Sequence, residues 1–335
     1  MERQPEVIKS KNLHLMNVLA EFKKITTFIF DIDGVLIDTR KSYNEAIKKT
    51  VQYLVSYFSP AIMGVKTLVS DEMIFNFRKS GMFNNDIDTS YAFILSILCG
   101  PSKISDLHCF LENITNDATM NGIISVEDYL QKYSKSTLNE IKKRLNYPGN
   151  IDSSMLTRIF DEYFYGPILF KKQHNAIPKY YFERPLIEKD TLLVRYSTMK
   201  KLSNLFNKRI GVVSGSKTAA MYSMKSIFKF FDLTGSVFLE DERRDMGKPN
   251  PAALVKCVKS FGVKNAFYVG DSAEDLIMVK RAKKVSKIQI ELIGICDPNA
   301  RSKRIRKLFD NNGTSLVIKD VNELPNILNK VMAHF

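Results

Sequence analysis

After Glu188 the chain alternates short apolar runs with amphipathic stretches, and the alternation predicts most of its elements. Arg209–Ser214, Ser236–Leu239, Ala266–Val269, Ile290–Ile295 and Ser315–Ile318 read as strands. Lys217–Phe228, Pro251–Phe261, Ala273–Lys284, Arg301–Phe309 and Val321–Val331 read as helices between them. Pro251 and Pro325 fall early in their helices, where a missing N–H costs little. Near-continuous apolar strands alternating with helices predict an α/β fold, a Rossmann-like parallel sheet covered by helices on both faces. The apolar run Phe28-Ile29-Phe30 has the same character and belongs with this sheet.

Between Thr39 and Glu188 the texture is helical. Tyr43, Ile47, Val51 and Leu54 recur at helical spacing, as do Leu156, Ile159, Phe160 and Tyr163. Thr137-Leu138-Asn139-Glu140 matches a capping box ahead of a basic helix. The expected organisation is therefore a discontinuous sheet domain, 25–39 with 188–335, interrupted by a mainly helical insertion at 40–187 docked above it. Residues 1–24 read as a separate helical arm.

Composition narrows the class. The chain has 335 residues, 44% hydrophobic and 26% charged, which suits a globular protein of about two domains. No apolar run approaches the roughly 18 residues needed to cross a bilayer, so no membrane partner is expected. The patch Leu13–Ala20 is preceded by Glu2 and Glu6 and followed by Glu21, unlike a secretory leader. Four scattered cysteines without a C-x-x-C pair point to free thiols in a reducing, cytoplasmic setting. Four equally scattered histidines argue against zinc. The net charge of +14 is uneven, for Lys280–Lys307 carries ten basic residues against two acids. Such a segment could hold nucleic acid or an acidic partner, although no aromatic side chains interleave to stack bases. Solvated helix faces account for it more simply.

Candidate chemistry sits where predicted strands end. Asp31 and Asp33 close the first apolar run, followed by Gly34. Two clustered carboxylates at the end of a buried strand need compensation, and a divalent cation is the usual one. Ser214-Gly215 places a hydroxyl and flexible backbone at a strand-to-helix turn, where free N–H groups favour phosphate. Gly247-Lys248-Pro249 sets one lysine in a rigid turn, and Gly270-Asp271 through Asp275 adds carboxylates at another strand end. Four such loops at the C-terminal edge of one parallel sheet form the usual ligand crevice.

With these motifs the chain resembles the phosphoglycolate-phosphatase-like subfamily of the haloacid dehalogenase superfamily, whose cap is inserted after the first motif. Asp31-Ile32-Asp33-Gly34-Val35, Ser214-Gly215, Lys248-Pro249 and Gly270-Asp271 through Asp275 match its four motifs in order. Gly81-Met82-Phe83-Asn84-Asn85-Asp86 is similar to a segment in a less characterised branch. The resemblance implies a Mg2+-dependent phosphatase of a small phosphorylated metabolite. Asp31 would be the nucleophile and Asp33 the general acid and base. Asp31, Asp33 through its carbonyl, Asp271 and Asp275 would surround the metal, while Ser214, Gly215 and Lys248 would bind phosphate. The acid at position 33 argues against carbon–halogen cleavage, since members performing it lack that acid. Two alternatives remain open at this point: a phosphosugar mutase with the same nucleophile, and a basic nucleic-acid-binding protein with a secondary or vestigial phosphatase site. Within the insertion, Arg78, Lys79, Asn84 and Asn85 are the polar candidates for contacting the leaving group.

Overall fold

A computed structural model describes residues 27–60, 68–78, 82–83, 85–117, 122–207, 209–296, 302–314 and 316–333. The arm expected at 1–24 lies outside the described residues. The chain divides into two compact units: one ends at Asp38 and resumes at Thr191, the other is Thr39–Asp190.

In the first unit, alternate residues along each strand go to opposite faces, and both faces are apolar. Strands β1 (Phe28–Phe30), β4 (Ile210–Ser214), β5 (Val237–Phe238), β6 (Asn265–Gly270), β7 (Gln289–Ile295) and β8 (Leu316–Ile318) form a parallel sheet, in the order β5-β4-β1-β6-β7-β8. Phe28, Phe30, Val212, Phe267, Val269 and Ile293 pack on one side with Met199 and Leu202 of helix Tyr196–Leu205 and Leu324 of helix Leu324–Ala333. Ile29, Val213, Ala266, Tyr268 and Leu292 pack on the other with helices Ala252–Ser260, Ala273–Val285 and Ser302–Asn311. This is the three-layer α/β arrangement expected of continuous apolar strands.

Three departures from the pattern have local causes. A short antiparallel pair, β2 (Ile37–Asp38) with β3 (Thr191–Leu192), joins the two chain segments that flank the inserted unit. Two-residue strands carry no readable periodicity. The helix expected from Lys217 to Phe228 stops at Ser223, and a 3-10 turn follows at Phe228–Phe230. At the C-terminus, Val321–Glu323 is a 3-10 turn capped by Asp320, so Pro325 falls in the first turn of the α-helix proper.

The second unit is helical. Helix Asp86–Cys99 is buried on nearly every side, packing against helices Arg40–Phe58 and Ile123–Leu145. Its almost uninterrupted apolar run suits a central position. The helix start expected at Thr137 falls inside the helical stretch Ile123–Leu145, in which Ser134 leaves helical geometry. There the Ser134 hydroxyl donates to Thr137 Oγ1 at 2.7 Å.

One buried ion pair organises this unit. Glu162 is fully buried, and its carboxylate accepts from the backbone N–H groups of Lys179, Tyr180 and Tyr181 at 2.6 to 3.1 Å. Arg158 donates to it at 3.2 Å and also to the carbonyls of Ile151 and Ile177 at 3.0 and 3.1 Å. The pair thus ties helix Met155–His174 to the segment that follows it. Removing one member strands a buried charge. Glu162→Ala should destabilise the helical unit by about 3–5 kcal/mol, read as a shift of its transition in urea unfolding. A variant unfolding with the wild type would contradict this role.

Candidate active site

Strand register sets the site. Phe30 is level with Val212 on β4 and with Val269 on β6. Asp31, Val213 and Gly270 therefore form the next layer, and Ile32, Ser214 and Asp271 the one beyond. The Asp31 N–H donates to the Val269 carbonyl at 2.9 Å, extending the ladder to the strand end. A tight turn follows at once, with the N–H groups of Val35, Leu36 and Ile37 converging on the Ile32 carbonyl at 2.8 to 3.3 Å. Gly34 lies in this turn at φ +75°, and a Cβ there would stand 2.0 Å from Asp271 Oδ2. Only glycine accommodates both the dihedral and the approach of that carboxylate.

The central contact is an ammonium between two carboxylates. Lys248 Nζ lies 2.8 Å from Asp31 Oδ1 and 2.9 Å from Asp275 Oδ1. The Ile32 N–H also donates to Asp31 Oδ1, at 2.8 Å. Asp275 Oδ1 accepts the Tyr268 hydroxyl at 2.8 Å, and its Oδ2 accepts the Asp271 and Ser272 N–H groups at 3.1 Å and the Ser272 hydroxyl at 2.7 Å. Ser272 and Asp275 form a capping box at the start of helix Ala273–Val285. The same carboxylate thereby caps a helix, holds the Asp271 loop and anchors Lys248.

Electrostatics follows from burial. Oxygens of Asp31, Asp271 and Asp275 lie within 4.8 Å of one another, so a third carboxylate joins the two that hold the ammonium. Burial pushes Asp31 up to about 6 despite the lowering effect of Lys248. Burial, with the charges of Asp275 and Asp31, also raises the Asp271 carboxyl well above the aspartate range. Burial opposes ionisation of Asp275 too, yet Lys248 and the hydrogen bonds from Ser272 and Tyr268 hold its carboxyl below the ordinary value. Burial likewise opposes the charge on Lys248, but Asp275 and Asp31 keep its ammonium above the lysine range. The excess of buried acids over the cation, and their all-oxygen donor set, fit a hard dication such as Mg2+.

The remaining candidates are distributed as follows. Ser214 is buried at the end of β4, and a Cβ on Gly215 would meet nothing within 4 Å. The next residue, Ser216, caps helix Lys217–Ser223. Asp33 is half-buried, its backbone bridged to Ile37, and its carboxylate lies outside the converging trio. In the helical unit, Arg78 grips Asp86 at 2.6 and 3.2 Å and donates to Asn44 at 2.9 Å. Asn85 caps helix Asp86–Cys99 by accepting from the Ile87 N–H. Lys79 and Asn84 lie outside the described residues.

In the basic segment, Lys280 donates to Asn312, Lys283 pairs with Glu291 at 2.8 Å, and Arg281 donates to the Pro249 carbonyl beside Lys248. Arg301 is outside the described residues.

Tyr268 was not among the sequence candidates, and Ser272 and Glu274 lay within the fourth motif without a role of their own. The serine was detectable, since Ser272 and Asp275 have capping-box spacing before a helix. Tyr268 offered only a polar tip in an apolar strand. Glu274 is buried, with Oε1 lacking a hydrogen-bond partner, and burial pushes its carboxyl up to about 7, Asp275 adding to the effect.

The sequence profile of the haloacid dehalogenase-like hydrolases matches residues 25–283. No curated protein matches closely enough in sequence to count as a relative. Among solved structures, a structural-genomics target determined by X-ray crystallography is 15% identical, covers 93% of this chain and 100% of its own, and has a TM-score of 0.63. A phosphatase, Tt82 from Thermococcus thioreducens, is 22% identical, covers 91% of this chain and 98% of its own, and has a TM-score of 0.57. At these identities the likeness is one of fold.

Two outcomes are expected. Gly34→Ala should weaken divalent-cation binding in calorimetry while the fold persists by circular dichroism, because the new methyl would stand 2.0 Å from Asp271 Oδ2 and displace that carboxylate; unchanged affinity would contradict the close approach. In metal-free protein, ionising Asp31 costs the folded state, since its carboxyl is raised to about 6 from 3.8. Wild type should therefore lose stability relative to Asp31→Asn as pH rises from about 4 to about 6. A difference independent of pH would refute the shift.

Proposed function

This chain belongs to the haloacid dehalogenase-like hydrolase family, and from that premise we propose that it is a Mg2+-dependent phosphomonoesterase acting through an aspartyl-phosphate on Asp31. The observation that carries the proposal is the buried Lys248 ammonium standing against Asp31 among an excess of carboxylates. A nucleophilic carboxylate would otherwise repel a phosphate dianion. Among the described residues the Ile32 N–H and Lys248 both act on Oδ1 of Asp31, so Oδ2 is the oxygen available for bond formation.

Asp31 attacks phosphorus in line and the P–O bond to the leaving group breaks. Asp33 gives a proton to the departing alkoxide, then takes one from the water that hydrolyses the acyl phosphate. Ser214, the Gly215 N–H and Lys248 hold the equatorial oxygens, where charge develops and fixed donors are most effective. Asp31, the Asp33 carbonyl and Asp271 would hold Mg2+, with Asp275 in support; when bound, the ion neutralises phosphoryl charge. The substrate class is a small phosphorylated metabolite, and the expected setting is cytoplasmic. Among the described residues no helix is long and apolar enough to cross a membrane.

The test is turnover on a panel of phosphomonoesters with Mg2+. Wild type should release phosphate, Asp31→Asn should lose roughly a thousandfold or more, and Lys248→Ala about a hundred- to a thousandfold. EDTA should abolish turnover and added Mg2+ restore it. Equal rates for wild type and Asp31→Asn would overturn the assignment. Isomerised sugar phosphate without free phosphate would mark a mutase instead.

A further inference from the structure

Along β6 the side chains alternate, and Ala266 and Tyr268 fall on the face shared with Ile29, Val213 and Leu292. An aliphatic residue would fill such a position. Tyr268 is instead fully buried with a hydroxyl, and a buried hydroxyl requires a partner. It finds one in Asp275 Oδ1 at 2.8 Å, the oxygen that also receives Lys248 at 2.9 Å. The lysine ammonium lies 5.6 Å from the centroid of the same tyrosine ring. Tyr268 therefore touches the Asp275–Lys248 pair at two points, through its hydroxyl and through its ring.

We propose that Tyr268 is a positioning residue of this site, fixing where the Lys248 ammonium stands between Asp275 and Asp31. The inference rests on the phosphatase reading. Asp275 Oδ2 is engaged by Asp271 and Ser272, so the carboxylate does not rotate freely. The hydroxyl occupies one lone-pair direction of Oδ1, and the ammonium takes another, from which it reaches Asp31 Oδ1 at 2.8 Å. Without the hydroxyl, Oδ1 has its whole acceptor capacity for Lys248, which then shifts toward Asp275 and away from the phosphoryl oxygens. The consequence is largest during reaction. Once Asp31 carries the phosphoryl group its carboxylate charge is gone, and of the two carboxylates that held Lys248 only Asp275, held by Tyr268, still anchors it beside the phosphoryl oxygens. A displaced donor weakens the transition state more than the bound substrate.

The experiment is a mutant cycle of Tyr268→Phe and Lys248→Ala, measured with p-nitrophenyl phosphate and Mg2+ and, in parallel, through the dissociation constant for orthovanadate, which needs no turnover. Tyr268→Phe keeps the ring and its packing. It should lower kcat by about tenfold with KM within about twofold, and weaken vanadate by about the same factor as kcat. In the Lys248→Ala background the same substitution should change vanadate affinity by less than about twofold, because the group through which Tyr268 acts is absent. Equal losses in both backgrounds, or a Tyr268→Phe enzyme as active as wild type, would overturn the role. Wild type without turnover condemns the phosphatase reading itself; an active wild type with an indifferent Phe variant condemns only the role of Tyr268.

Discussion

One buried ammonium shared by two carboxylates is the constraint on which this site depends. Lys248 lies within 3 Å of both Asp31 and Asp275, and Asp271 adds a third acid to the cluster. Burying such groups without compensation is costly, so each is held by several contacts. Asp275 carries most of them: it caps a helix, receives Tyr268 and two backbone N–H groups, and ionises readily as a result. Asp31 and Asp271 carry fewer donors, and their carboxyls are raised. The arrangement leaves two acids in want of positive charge beside one that is satisfied, which is the electrostatic demand a dication meets.

The scaffold supplies this arrangement through register. Because β1 is paired on one side with β4 and on the other with β6, the residues after Phe30, Val212 and Val269 open onto one edge. The sheet order brings the chain back across β1 between β5 and β6, a reversal of the kind that leaves a crevice at strand ends. Gly34 then allows the first turn to fold against Asp271. Rigid apolar packing on both sheet faces keeps these ends in place without demanding anything polar from the strands themselves. The exception is Tyr268, whose hydroxyl carries polar order from the interior to the site.

Much of this was legible in the chain. Continuous apolar strands between amphipathic stretches predicted a parallel α/β sheet, and the six-stranded sheet with helices on both faces is that fold. The strands at Ile210–Ser214 and Asn265–Gly270 begin and end within a residue or so of the expected places. Asp31, Lys248, Asp271 and Asp275 were readable as candidates because acids, a lysine and glycines at strand ends are local signals, and the structure brings these four together. Arg78 and Asn85 were readable only as polar residues in a loop. In the folded chain one grips Asp86 and the other caps a helix.

By itself, then, the sequence determined the layer architecture and the strand-end positions of the charged groups, because periodicity and turn chemistry act over a few residues. Only the tertiary structure decided which oxygen of Asp275 Lys248 would share with Tyr268, how closely Asp271 would approach Gly34, and where the helix at Ser134 would break. Those outcomes depend on which strands become neighbours and how far a buried side chain can reach. Contacts between residues distant along the chain leave no periodic trace in it.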